Sequence, residues 1–271
     1  MKTIFFVLSV VASFLILPVD EASADFKGQA VYISKTKMDL GSWGARMSEA
    51  QKKQAAARLK NRLEKTYTLN FTKTESTFEE EDKLDAMSGA TDSWGNNFTP
   101  GDQYKNIKEK SLLQSQEFYG KKFLVKDELL NIDWKMGSET KQIGKYNCFK
   151  AMATIPTADL SWYDFSWAEL RKKESEDGEE AAEDMTLVEA WYTLEVPVSH
   201  GPAEYWGLPG LILEVSSGNT TMLCTKIVIN PKEEISIEAP DNGKEITKKD
   251  YKATIVRKMT EMMNNRGRRR G

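Results

Sequence analysis

Histidine and cysteine are scarce in this chain, and their scarcity closes off much chemistry. Among 271 residues there is one histidine, His200, and there are two cysteines, Cys148 and Cys224. One imidazole and two separated thiols do not make a zinc site, so no metal centre or cofactor is expected. Ser199 adjoins His200 in sequence, which is poor geometry for a serine–histidine nucleophile pair. A G-x-S-x-G elbow, a phosphate loop and a dinucleotide fingerprint are all missing. Charge of one sign is missing too: a net charge of −3 argues against a general nucleic-acid binder. After the first residues no stretch is apolar enough for a transmembrane helix.

The N-terminus has the pattern of a secretory leader. Lys2 precedes an apolar run from Ile4 to Leu17, and Ala22-Ser23-Ala24 supplies a small-x-small cleavage site. The expectation is a signal peptide over 1–24, rather than an uncleaved anchor, and export to the periplasm, with secretion or outer-membrane association as variants. Residues 25–263 then read as a single domain, with an inserted loop over 157–186 and a disordered basic tail over 264–271. A chain of this length can bury a sizeable core.

In an exporting compartment the two cysteines could pair. Each lies in a predicted strand, at the opposite parity to its apolar neighbours. In one sheet both sulfurs would point to the same face. A Cys148–Cys224 bond closing so long a loop would add roughly 4 kcal/mol. Two separate buried thiols are the alternative.

The elements follow from periodicity. Short strands are expected at Gly28–Ser34, Lys65–Lys73 and Ser76–Asp82, the second alternating Tyr67, Leu69 and Phe71 against polar residues. Ser48 with Gln51 forms a capping box before a helix over Glu49–Glu64, lying on the sheet with one face wet. Met87–Gln103 reads as a loop, in which Trp94 and Phe98 either pin it down or bind something. Strands continue at Leu112–Tyr119, Lys121–Lys126, Leu129–Met136, Gln142–Ile155, Leu187–Val196, Leu211–Ser216, Thr220–Asn230 and Ile235–Glu238. A last helix is expected after Thr247 and Asp250, with Tyr251, Ile255, Met259 and Met262 on one face and an end at Asn264–Gly267. The fold class is α+β: a curved, mainly antiparallel sheet, half-barrel-like, with one helix in the N-terminal region and one at the C-terminus.

Two stretches stand out. The insertion carries Trp162, Tyr163, Phe165 and Trp167, then the acidic run Glu174–Asp184. Its aromatics either cap one end of the sheet or present a sticky lip to a partner or ligand. The acids read as a solvated loop, and lack the ligand spacing and bend glycine of an EF-hand calcium site. The second stretch, between two apolar strands, holds Pro197, Gly201, Pro202, Gly207, Pro209 and Gly210. Residues that fix or free φ at this density specify one backbone path. It reads as a rigid crossover anchored by Tyr205 and Trp206, both also candidate ligand or partner contacts. Glu189 and Glu195 share a strand parity with Trp191 and are the best candidates for a two-carboxylate hydrolase.

Gly207-Leu208-Pro209-Gly210-Leu211-Ile212 resembles the six-residue signature of the GLPGLI family of exported bacterial proteins. Ala190-Trp191-Tyr192-Thr193, the Pro197–Pro202 segment, Asp133-Trp134, the strand Phe123–Lys126 and Ile143–Cys148 with Lys150-Ala151 resemble the family pattern as well. His200 departs from it, standing where an acidic or small polar residue is common, and the 159–184 insertion replaces a short connection. The resemblance implies a Gram-negative envelope setting and assigns no catalytic residue. The expectation is a monomeric, non-enzymatic envelope protein. Its partner would be a hydrophobic small molecule, a lipid or another envelope protein. Its many aromatics, seven tryptophans among them, motivate that reading.

Overall fold

A computed structural model describes residues 26–37, 46–81, 98–167, 170 and 183–268. The leader, Trp94, most of the acidic run and the last residues of the tail lie outside the described residues. In chain order the elements are β1 (Gly28–Thr36), α1 (Glu49–Arg58), α2 (Lys60–Leu63), β2 (Glu64–Phe71), β3 (Glu75–Glu80) and β4 (Gln103–Asn106). Then come β5 (Ser111–Phe118), β6 (Lys121–Glu128), β7 (Lys135–Ile143), β8 (Tyr146–Pro156), α3 (Thr157–Leu160) and β9 (Met185–Thr193). The chain finishes with β10 (Leu211–Ser217), β11 (Thr220–Ile229), β12 (Lys244–Ile246) and α4 (Lys248–Arg268).

The strands form one open 12-stranded sheet in the order β12-β6-β5-β4-β3-β2-β1-β11-β10-β9-β8-β7. Its ladders are antiparallel except for β12 beside β6. The α+β expectation therefore holds in its coarse form. Period-two patterning sets which face is covered. Gly28, Ala30, Tyr32 and Ser34 of β1 are buried in alternation, as are Leu112, Gln114, Gln116 and Phe118 of β5. Across the ladders, Tyr32 faces Tyr67, Leu69 faces Phe78, and Gln103 faces Gln114, so one face is continuous from β6 to β8.

That face is concave. Lys105 on β4 reaches the carbonyls of Gly201 and Ala203, which lead into β10, although β3, β2, β1 and β11 stand between β4 and β10. In a flat sheet those strands would lie roughly 24 Å apart. Trp162, just past β8, likewise sits 5.7 Å from the ring of Tyr251 on α4, near the opposite edge. The sheet bends until one segment touches both halves.

Several expected boundaries move. The single strand Gln142–Ile155 is two, because Gly144, at φ +59°, opens a two-residue turn pairing Ile143 with Tyr146. Leu129–Trp134 is not strand, and β7 starts at Lys135. β4 falls at the end of an expected loop, since its core-facing residues, Gln103 and Lys105, are polar and break the apolar alternation. Ile235–Glu238 forms no strand, and β12 forms instead, just before α4. Ser48 and Gln51 make the reciprocal capping box, but the helix is broken at Leu59 and no described side chain of α1 is buried. The last helix buries Tyr251, Ile255 and Met259 as the spacing requires, yet runs to Arg268, through the Asn264–Gly267 stretch expected to end it.

Candidate functional site

The turn-rich segment, 194–210, fills the concavity. It is not a crossover: β9 and β10, which it joins, are adjacent antiparallel partners, so it is a long hairpin connection folded back over the sheet. The chain after β9 returns alongside β10, with Leu211 N donating to Val196 O and Ile212 N to His200 O, each over 3.0 Å. Glycine is required at several points, Gly210 and Gly207 among them. At Gly210 a Cβ would stand 2.0 Å from Thr193 O, and Gly207 sits at φ +91°. Leu208, Leu211 and Ile212 are fully buried, whereas Pro197 and Pro209 are exposed and serve by fixing φ. Tyr205 N closes a turn on Pro202 O. Trp206 anchors the segment as expected: its indole N–H donates to Leu130 O (2.7 Å), while Trp134 donates to Trp206 O (2.8 Å).

Sequence reasoning missed the main anchor. Lys105 is fully buried, and its ammonium donates to the carbonyls of Gly201 (2.7 Å), Ala203 (2.6 Å) and, at 3.4 Å, Tyr205. Burial pulls its pKa down to about 7, with Glu204 offsetting part of the shift and Lys248 adding to it. His200 is buried beside Phe71, with neither ring nitrogen hydrogen-bonded. Burial first, then Lys105, pushes it down to about 3; the Thr72 backbone favours the charged ring slightly without forming a bond to it. The imidazole is neutral at pH 7 and has no proton-transfer partner.

Between this segment and the strands lies a cavity of about 230 Å³. Its aromatic wall is Tyr67 and Phe78, stacked at 4.8 Å, with Tyr163 from the insertion and Tyr205 from the segment. Leu160, Val215 and Met222 add apolar surface, and Gln103, Gln114, Glu80 and Glu204 are the main polar groups. Glu80 is held by Lys65 (2.6 Å). Glu204 accepts from the Trp162 indole (3.1 Å) and pairs with Lys248 (3.0 Å), both its oxygens being engaged. Burial raises the phenols of Tyr67 and Tyr163 above their ordinary range, so both are neutral hydroxyls.

The remaining expectations divide. Trp162 is core, packed on Tyr251 and Tyr163, and Phe165 packs edge-on to Trp167 and beside Phe98. These aromatics cap the sheet end and hold α4; Tyr163 alone of the four also lines the cavity. Phe98 pins its loop against Phe118. Trp191 and Tyr192 point to opposite faces. Tyr192 lies on the concave side near Phe149, and Trp191 lies on the outer side under Lys141, 4.3 Å from its ring. Glu189 accepts from the Trp191 indole and pairs with Lys150, which holds its carboxyl below the usual range. Glu195 is beyond the end of β9, bound to Asn147 N. The two acids are held by separate partners, and Glu189, its carboxyl held low, is not the raised-pKa acid that a glycosidase pair needs. Cys148 and Cys224 are free thiols. They do lie in one sheet and one apolar cluster, but β9 and β10 separate their strands, a wider spacing than the 4.4–6.8 Å or so between Cα atoms that a disulfide spans. Among the described residues no acid, cysteine and histidine cluster could hold a metal.

A family profile described as "Protein of unknown function (Porph_ging)" matches residues 134–214, which span β7, β8, α3, β9, the turn-rich segment and most of β10. No curated protein sequence matches the chain. Among solved structures it is similar to PNGF-II in two crystal forms, at 16% identity and a TM-score of 0.47 in each, covering 85% and 83% of this chain. It spans about a third of the length of those structures, 33% and 32%.

Proposed function

We propose that this is an exported, non-enzymatic cell-envelope protein that binds a small hydrophobic molecule in the hollow of a half-barrel-like sheet. The cavity of about 230 Å³, with its wall of four aromatic rings, carries this reading. Its size falls below the roughly 300–1,000 Å³ of drug-sized sites, which favours a compact or single-chain ligand over a diacyl lipid. The leader-like N-terminus supports a periplasmic setting. An envelope protein as partner is the second reading, favoured by exposed Met152, Met185 and Leu187 on β8 and β9. The test is recovery of the protein from its native periplasm, with native mass spectrometry for a bound small molecule. Met222→Trp, which fills the cavity, should abolish the adduct without lowering the melting temperature. Wild-type protein that carries nothing small and takes up no apolar probe would overturn the binding reading.

A further inference from the structure

The polar floor of the cavity fixes what the ligand must offer, given that the cavity is a binding site as proposed above. Gln116, Gln114 and Gln103 form a row of buried side-chain amides across β5 and β4. Amide oxygen and nitrogen are not interchangeable here, because one end of the row is set by the backbone. Gly101 N–H donates to Gln116 Oε1 (2.6 Å), so that atom must be the oxygen, and Gln116 Nε2 donates onward to Thr99 O (3.3 Å). Gln114 must therefore present its Nε2 to Gln116 Oε1 (3.4 Å). Its oxygen is then turned towards Gln103 and accepts from Gln103 Nε2 (3.2 Å). By elimination, Gln103 is left with its Oε1 at the free end. Gln103 lines the cavity and is only 5% exposed, and this oxygen is buried with no hydrogen-bond partner.

We infer that the cavity takes a neutral ligand carrying a hydrogen-bond donor, an alcohol or amide N–H, on an apolar body, with the donor seated on Gln103 Oε1. A buried acceptor left unpaired is costly, so a ligand that supplies the donor recovers that loss, while one that offers only acceptors does not. An anion offers only acceptors to Gln103 Oε1 and leaves it unpaired, and the ion-paired Glu80 and Glu204 supply no free positive charge to hold it. A cation gains little from these carboxylates, because Lys65 and Lys248 already neutralise them.

The experiment uses three probes of matched size on the intact protein, read by isothermal calorimetry at pH 7. These are 1-heptanol, its isomer hexyl methyl ether, which lacks the donor, and heptanoate. The alcohol should bind at least about tenfold more tightly than the ether, with heptanoate weakest. Gln103→Leu removes the acceptor, and should bring alcohol and ether to within about twofold of each other. The wild-type alcohol–ether ratio stands as a test even should the variant not fold. Ether or heptanoate binding as tightly as the alcohol overturns the donor inference, as does an unchanged ratio in a folded Gln103→Leu protein. If none of the three binds, the binding reading itself fails and takes this inference with it.

Discussion

The ammonium of Lys105 donates to the carbonyl oxygen of Gly201 across 2.7 Å, joining β4 to a segment that lies far from it in the strand order. Ala203 and Tyr205 present their carbonyls to the same nitrogen. A segment rich in turns leaves backbone acceptors unpaired, and a buried unpaired carbonyl is destabilising. One lysine relieves three of them, and in doing so fixes one wall of the cavity.

Lys105→Met should therefore destabilise the protein at pH 7 by about 1–3 kcal/mol and blunt uptake of apolar probes. The pH dependence gives a sharper readout. The lysine pKa is near 7 when folded and about 10.4 when unfolded, so between these values the unfolded chain holds more protons. Its contribution to stability is complete above the unfolded value and is lost as pH falls through 7. Denaturant titrations should show the wild-type advantage over Lys105→Met growing from pH 7 to 10. A flat difference would mean that the lysine is not held near 7.

His200 acts in the same direction over a lower pH window. Its folded pKa is about 3, against roughly 6.5 unfolded, so the stability it contributes is present above pH 6.5 and drains away as pH falls towards 3. Because both ring nitrogens are buried without partners, His200→Phe should stabilise the protein by about 1–2 kcal/mol at pH 7. The variant's advantage should widen by a few kcal/mol on acidification to pH 4. Thermal melts across that range decide it, and equal acid sensitivity in both proteins would place the ring in a wetter setting.

Much of the sheet was legible because alternation reports one covered face: Tyr67, Leu69 and Phe71 of β2 all turn inward as their spacing requires. The site was less so. Gln103 and Lys105 occupy core positions with polar side chains, and their partners lie about a hundred residues away or on a neighbouring strand. Nothing local in QYKN distinguishes an exposed strand from one closing a polar floor. The turn-rich segment was recognisable as a fixed path from its prolines and glycines. Its direction, back over the concave face, depends on a β9–β10 pairing that periodicity does not encode.

The two thiols offer a chemical check on that topology. Burial raises Cys148 to about 11 and Cys224 to about 12, so neither is an appreciable thiolate at pH 8. Iodoacetamide should leave the native protein unlabelled over minutes, and label both cysteines once guanidinium unfolds it without reductant. A mass two hydrogens low, with no label taken up, would show a disulfide and a different strand order.

The two kinds of glycine should separate cleanly on substitution. Gly210 is closed by the Thr193 carbonyl, with its oxygen 2.0 Å and its carbon 2.6 Å from the place a Cβ would occupy. Relief requires β9 and β10 to part where the 194–210 segment leaves the sheet. Gly144 and Gly218, unlike Gly210, sit at positive φ, and nothing stands within 4 Å of a Cβ there. Gly210→Ala should therefore cost about 3 kcal/mol or more, while Gly144→Ala and Gly218→Ala should cost only about 1 kcal/mol each in backbone strain. Urea unfolding of the three variants measures this directly. If Gly210→Ala were as mild as the other two, the close approach of the segment to β9 would be wrong, and the cavity wall built on it would have to be redrawn.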